Sequence, residues 1–490
     1  MRWKTTLVLL IATVGIGVYI SRYELRQPSP EERERLAKRV LDIPADSVSQ
    51  LTLELPQATL TLIRDGSVWR LSSSRGAQDS ARSGVGALEP HGVRADPDLV
   101  NQLLLQFEPL TADRALSASQ GKAPLDPVAF GLHPPQGTVT LTSKGSPTRV
   151  LIGGPTPVRH RRYLMVEGRP DIFVVSSELF DTANQPPETF RDPMLLRSST
   201  WRAETLTASS PASAFTIVRL GNDWRLTQPL SDRVSRTEVG QLLHRLTGIR
   251  IKRFVNEAPQ VEQLSQWGFD HAAAEVTLRE EGAQARPVTL FFGKPLVEDN
   301  SLVYAKRIDE PSLYAVLASD VDALLPDPNR LREHTCLNFF TGETAKVELT
   351  TGGSGWTIER VNGQWRAAGS ATTLDTQRVE AFFNTLADLQ LSGFVEEHPQ
   401  DLRRYGLDPA DSTIAVWTLN VETPQRLLVG SAVEASTNRY GRIEGREPVV
   451  RLPETVTELL ATTLNDLRSP EKSSPPTQFQ ATTPSSANSP

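Results

Sequence analysis

Residues 219–226 read Arg-Leu-Gly-Asn-Asp-Trp-Arg-Leu, and the same order of residue types stands at 64–71 (Arg-Asp-Gly-Ser-Val-Trp-Arg-Leu) and at 360–367 (Arg-Val-Asn-Gly-Gln-Trp-Arg-Ala). In each stretch Trp follows Arg by five residues across a glycine-containing turn, which predicts a β-hairpin. Trp69, Trp224 and Trp365 are 155 and 141 residues apart, so the chain reads as three tandem copies of one unit.

Outward from these hairpins the order repeats. Each copy carries an aromatic-Gly-apolar triplet: Phe130-Gly131-Leu132, Trp267-Gly268-Phe269 and Tyr405-Gly406-Leu407. A second glycine follows (Gly153, Gly293, Gly430), and then Tyr163, Tyr304 and Tyr440 come 10, 11 and 10 residues later. Ten residues further on, Phe173, Tyr314 and Val450 sit in runs that read as buried strands. Between hairpin and triplet lies an amphipathic stretch (98–107, 236–246, 376–389). In the third copy Val379, Phe382, Phe383, Leu386 and Leu389 recur at helical spacing. Short helices are expected near 177–183, 319–325 and 454–467. The unit is therefore α+β: mixed antiparallel strands with short helices. Its aromatic residues bury large area and its glycines allow close turns, so we read these landmarks as structural. The first copy is longer because 72–95, rich in Ser, Gly and Arg, reads as an inserted surface loop.

Ahead of the copies, 5–21 carry no charge, with Arg2 and Lys4 before them and Trp3 and Tyr23 as flanking aromatics, the pattern of a single membrane-spanning signal anchor. A cleaved signal peptide is the alternative, but no A-x-A-like site follows Ile20. Arg22, Arg26, Arg33, Arg35, Lys38 and Arg39 would by a literal positive-inside count keep the downstream side in the cytoplasm. Long domains translocate largely regardless of such charges, and export is the expectation. The expected organisation is an anchor over 1–23, a juxtamembrane spacer over 24–45, α+β repeats over 46–197, 198–338 and 339–468, and a disordered Pro/Ser/Thr-rich tail over 469–490.

Composition bounds the function. The 490 residues have a formal charge of -6, which provides no general attraction for nucleic acid. Cys336 is the single cysteine, so an intrachain disulfide or cysteine-based metal cluster is excluded. The seven histidines, His91, His133, His160, His244, His271, His334 and His398, form no zinc-binding spacing. Neither a nucleophile elbow, a phosphate-binding loop nor a dinucleotide fingerprint occurs. Glu280-Glu281, Glu396-Glu397 and Asp320 with Asp322 read as solvated surface, since adjacent acids on a strand point to opposite faces. We expect no catalytic residue, cofactor or metal. The one strongly basic cluster, Arg159-His160-Arg161-Arg162 before Tyr163, is confined to the first copy and is the candidate for an anionic partner, against the plainer reading of a charged, soluble hairpin.

The anchor MRWKTTLVLL, the repeated hairpins, the aromatic-Gly triplets, the Gly-to-Tyr spacing and Phe190-Arg191-Asp192-Pro193 at the close of the first copy together resemble a bacterial family known as domain of unknown function 4340. The resemblance spans roughly 3–467. It implies a membrane-anchored, exported protein encoded beside gliding-type ABC transporter components, with no activity or catalytic residue to carry over. The expected function is thus a non-enzymatic, single-pass protein of the cytoplasmic (inner) membrane, its C-terminal region periplasmic, acting as a scaffold or accessory subunit for ABC permease and ATPase subunits. Alternatives are a module binding envelope polymers or peptides through sheet edges or the basic hairpin and, third, an envelope hydrolase with a dispersed site. No small-molecule substrate is indicated.

Overall fold

A computed structural model of the protein describes residues 38–56, 58–74, 92–108, 110–116, 125–282, 285–370 and 373–468. The expected anchor over 1–23, the spacer up to 37, most of the inserted loop and the tail over 469–490 lie outside them. No helix among the described residues is long and apolar enough to cross a membrane.

Strands dominate, in antiparallel sheets joined by short helices. The first large sheet contains β2 (Val48–Glu54), β3 (Thr59–Asp65), β4 (Val68–Ser74), β5 (Val93–Arg94), β7 (Arg114–Leu116), β8 (Gly137–Ser143), β9 (Ser146–Pro155), β10 (Arg161–Val166) and β11 (Ile172–Ser176). Its order is β5-β4-β3-β2-β8-β9-β10-β11-β7. A separate two-stranded sheet pairs β1 (Arg39–Leu41) with β6 (Leu110–Thr111).

The second large sheet repeats that order with β12 (Ala203–Ser209), β13 (Ala214–Leu220), β14 (Asp223–Gln228), β15 (Asp232–Arg233), β16 (Arg253–Asn256), β17 (Ala274–Glu280), β18 (Val288–Pro295), β19 (Leu302–Arg307) and β20 (Leu313–Leu317), arranged β15-β14-β13-β12-β17-β18-β19-β20-β16. The third comprises β21 (Thr344–Thr351), β22 (Ser354–Val361), β23 (Gln364–Ala367), β24 (Gly393–Glu396), β25 (Ser412–Thr418), β26 (Gln425–Ala432), β27 (Arg439–Ile443) and β28 (Val449–Leu452), in the order β23-β22-β21-β25-β26-β27-β28-β24. The three-copy reading of the sequence is thus one sheet order used three times, with no counterpart of the short edge strands β5 and β15 among the described residues of the third.

By internal contacts the described residues form two compact units, one within 1–197, 247–272 and 291–318 and the other within 198–246, 273–290 and 319–490. In the first, Leu51, Leu53, Leu60 and Leu62 alternate inward along β2 and β3 and meet Val100, Leu103, Leu104 and Phe107 from helix Pro97–Phe107. Asp96 caps that helix by accepting the N–H of Asp98 at 3.0 Å. In the second, Val379, Phe382, Phe383 and Leu386 of helix Thr376–Ala387 face Val347, Leu349 and Ile358, and Asp375 caps it. The periodicity of the amphipathic stretches and the period-two strands account for these cores.

The start of each repeat differs from expectation. Ala112 N–H donates to Lys38 O (2.7 Å), Ile251 N–H to Pro193 O (2.8 Å) and Leu391 N–H to His334 O (2.8 Å), three copies of one contact. Backbone pairing belonging to each repeat is therefore already present at 38, 193 and 334, ahead of the expected bounds at 46, 198 and 339. Residues 39–41, assigned to the spacer by their charges, are strand β1, with Val40 and Leu41 buried in the first core. Two apolar side chains outweigh their basic neighbours there because burial rewards the apolar area while Arg39 stays partly in solvent.

Candidate functional site

The repeated glycines pack backbone on backbone. Gly131, Gly268 and Gly406 have φ of 67°, 86° and 67°, ending a 3-10 turn in the left-handed region that glycine tolerates. The second glycines lie under the carbonyl of the triplet aromatic: a Cβ on Gly153, Gly293 or Gly430 would stand 2.5, 2.2 or 2.0 Å from the oxygen of Phe130, Trp267 or Tyr405. The spacing to Tyr then closes an aromatic pair, with ring centroids 4.9 Å apart for Phe130–Tyr163, 6.2 Å for Trp267–Tyr304 and 5.0 Å for Tyr405–Tyr440.

The hairpin arginines also act within the fold. Arg64 donates to Asp46 O (2.8 Å), Arg219 to Trp201 O and Arg360 to Gly342 O (3.0 Å), each tying its hairpin to the turn that opens the repeat. Trp69 and Trp365 are buried and Trp224 is half-buried. Their carbonyls accept the N–H groups of Ala95, Val234 and Leu374, the residues leading into each long helix.

The basic cluster divides. Arg162 is half-buried: its Nη1 donates to Gln136 Oε1 (2.7 Å) and Gly153 O (3.0 Å), and its guanidinium lies 3.9 Å over the Phe180 ring. Arg161 pairs with Asp113. Arg162 moreover has a counterpart, since Arg439 before Tyr440 donates to Gly430 O at 2.9 Å. Arg159 and His160 remain exposed, beside Val158 at 67%.

The densest buried chemistry lies where one repeat hands over to the next, and sequence reasoning missed it. At the first junction Arg191 pairs with Glu257 and sits over the Phe254 ring, centroid 5.0 Å. Arg94 Nε lies 2.8 Å from Glu310 Oε1 and Arg94 Nη2 donates to Met194 O at 2.8 Å. Glu310 in turn accepts the Tyr314 hydroxyl at 2.8 Å. Burial, then the Glu310 charge, pushes the Tyr314 phenol well above its ordinary value.

At the second junction Arg332, fully buried, donates through both Nη atoms to Glu397 (2.7 and 2.9 Å) and through Nε to Asp232 (2.7 Å), its guanidinium 3.2 Å from the Phe394 centroid. Arg446 grips the same Asp232 with two bonds, 3.0 and 2.7 Å. Burial pushes the Asp232 carboxyl up, and the hydrogen bonds and charges of Arg446 and Arg332 outweigh it, holding it below the usual carboxylate value. A depressed carboxyl stabilises the fold above its unfolded value of about 3.9 and loses that contribution as pH falls through its folded value. Thermal unfolding followed from pH 6 down to pH 2 therefore loses less stability below pH 4 in Asp232→Asn than in the parent chain.

The reading of Glu396-Glu397 as solvated surface is corrected by these contacts: Glu397 holds Arg332, and Glu396 accepts the Tyr405 hydroxyl. The signal was present as Phe254-Val-Asn-Glu257 and Phe394-Val-Glu-Glu397, together with Phe190-Arg191, Leu331-Arg332 and Leu467-Arg468. The first repeat has Ala115 and Ala118 where the others have Phe and Glu. Cys336 is buried at the second junction, where burial pushes its thiol up to about 12. A thiol reagent at pH 8 is expected to leave it unmodified for hours and to label it fully in urea. No group of three potential metal ligands occurs among the described residues.

Compared with known proteins, no curated sequence matches. Among solved structures, the DNA polymerase sliding clamp of Pseudomonas aeruginosa aligns at 9% identity over 86% of this chain and 94% of that one, TM-score 0.16. The DNA polymerase III β subunit of Thermotoga maritima aligns at 8% identity over 81% and 96%, TM-score 0.17. Scores this low carry no argument about fold or function. A family model described as a domain of unknown function matches three overlapping stretches, 87–260, 224–397 and 365–477. The first two run from the middle of one repeat through the junction to the Phe-Val-x-Glu segment of the next, so the family unit includes the arginine clasp. Matched over most of its length, this chain belongs to the DUF4340 family.

Proposed function

We propose that the protein is a non-enzymatic envelope scaffold, anchored in the cytoplasmic membrane through 5–21 with its repeats on the periplasmic side, and that it serves as an accessory subunit of an ABC-type transport assembly. The observation that carries the scaffold reading is the use of the buried ionisable groups: Arg94, Glu310, Asp232, Arg332 and Arg446 are paired to one another, and Arg332 to half-buried Glu397, at repeat junctions. Chemistry that elsewhere marks a reactive cleft here joins one repeat to the next. Support for a protein partner comes from exposed apolar side chains on the turn that opens the third repeat and the loop tied to it. Phe340 is 75% exposed and Leu419 51%, and Leu419 N–H donates to Glu343 O at 2.7 Å.

The test is a C-terminal tag, mild solubilisation of native membranes, crosslinking and mass spectrometry of what co-purifies. Enrichment of ABC permease and ATPase subunits supports the reading, and recovery of the protein alone removes it. Phe340→Ser combined with Leu419→Ser is expected to lower partner recovery about tenfold without altering thermal stability. Unchanged recovery would locate docking elsewhere.

A second reading, a module binding anionic envelope polymers, rests on exposed Arg159 and His160. It predicts saturable binding that is lost in Arg159→Ser. Arg161 and Arg162 are unsuitable probes because the fold uses them.

A further inference from the structure

The arginine that closes a repeat occurs three times. Asp96 N–H donates to Phe190 O (2.8 Å), Ser235 N–H to Leu331 O and Asp375 N–H to Leu467 O (both 2.9 Å), so Arg191, Arg332 and Arg468 leave their repeats from one backbone position. The turn is also shared: the arginine N–H donates to the carbonyl three residues back, that of Glu188 (3.2 Å), Asn329 (3.3 Å) or Asn465 (3.2 Å). Two of the three arginines meet a ring and a carboxylate on the following repeat. Arg191 pairs with Glu257 over the Phe254 ring, and Arg332 with Glu397 over Phe394, the acid standing three residues after the aromatic in both.

Arg468 is exposed, and among the described residues its side chain meets neither a ring nor a carboxylate. The residues after it do not enter a fourth repeat as the others are entered. Leu195-Leu196 and Cys336-Leu337, buried four and five residues after Arg191 and Arg332, correspond to Lys472-Ser473 after Arg468. A second cation stands close by, since Arg378 Nη1 donates to Asp466 O at 3.0 Å. The adjacent acids serve local caps: Asp375 accepts the N–H groups of Gln377 and Arg378 (3.0 and 3.2 Å), and Asp466 accepts the N–H and hydroxyl of Thr463 (2.9 and 2.6 Å).

We propose that the closing face of the third repeat is a docking site for another protein, held as the repeats hold one another: Arg468 receives from a sheet edge of that partner an aromatic ring and, three residues on, an Asp or Glu carboxylate. Continuity with the two filled clasps carries this, because a residue at the same backbone position shows twice what it takes. A guanidinium meets both groups at once, stacking on the ring and donating to the carboxylate. Neither other occupant has the pair. In a second copy the Phe-x-x-Glu segments of the second and third repeats are already clasped. Its first repeat has Ala115 at the register of Phe254 and Phe394, with no acid over 116–125. Residues 469–490 hold one aromatic, Phe479, and their one acid, Glu471, precedes it by eight positions. The inference rests on the junctions and not on the transport reading, which Phe340→Ser with Leu419→Ser tests at a different place.

The experiment uses the full-length chain in native membranes, with the photo-crosslinking residue benzoylphenylalanine in place of Gln377, exposed on the helix turn beside Arg468. The result expected is a crosslinked protein whose linked peptide, read by mass spectrometry, carries an aromatic residue with an acid three residues on. Its yield should fall about tenfold in Arg468→Glu and return when that acid of the partner is changed to Arg. The melting temperature of Arg468→Glu should equal that of the parent chain. A lowered melting temperature would make Arg468 a residue of the fold and overturn the proposal. So would the absence of a crosslink, a crosslink to 469–490 or to a second copy, or a linked peptide without the aromatic and acid. A yield indifferent to Arg468→Glu, or one that the charge exchange fails to restore, would overturn it equally.

Discussion

Replacing Arg332 by alanine is expected to destabilise the second junction by about 3–5 kcal/mol, read as a fall in the urea midpoint of the transition that exposes Cys336 to a thiol reagent. The size follows from what remains behind. Arg332 is fully buried, and its removal leaves Glu397 without a partner and Asp232 with Arg446 alone, while the Phe394 face loses the guanidinium stacked on it. A surface ion pair of the same length would be worth no more than about 1 kcal/mol, because water solvates each separated charge. Replacing Arg332 and Glu397 together by Met and Gln should cost less than Arg332→Ala alone, since part of the penalty comes from the Glu397 carboxylate left without its cation and part from the lost packing that Met restores.

Gly430→Ala is expected to cost about 3 kcal/mol or more, and to reduce soluble yield, for a purely steric reason. Its Cβ would sit 2.0 Å from the Tyr405 carbonyl oxygen and 3.1 Å from the Gly406 carbonyl, both backbone, so no side-chain rotation relieves the overlap. Gly153→Ala and Gly293→Ala should behave alike, at 2.5 and 2.2 Å. Gly240→Ala is the matched control: nothing lies within 4 Å of its Cβ and it sits inside helix Arg236–Gly248, so alanine there is expected to stabilise by about 0.5–1 kcal/mol. Melting curves of the four variants would show whether close backbone approach, rather than glycine content, governs these positions.

The landmarks were legible before any coordinates because their causes are local or periodic. A Trp hairpin, an amphipathic helix and a Gly-to-Tyr spacing of about ten residues each reflect the geometry of one turn, one helix face or two adjacent strands. The basic hairpin was harder to read. Four cations in a row look alike in sequence, yet Arg162 lies over Phe180 and Arg161 meets Asp113, while Arg159 stays in solvent. Which of them is occupied depends on residues brought up from 18 to 48 positions away.

By itself the sequence determined that one α+β unit is used three times, which residues line each core, and where glycine is obligatory, because burial periodicity and backbone sterics act over short separations. Only the tertiary structure decided where each repeat begins and what its charges do. Val40 and Leu41 join the first core through a strand pairing with 110–111, and Asp232 is brought to Arg446 across 214 positions and to Arg332 across 100. An isolated acid or arginine in a sequence reads as surface, since solvation is its cheapest state; it becomes a buried clasp only when the fold delivers an opposite charge in the right orientation and removes the water from both.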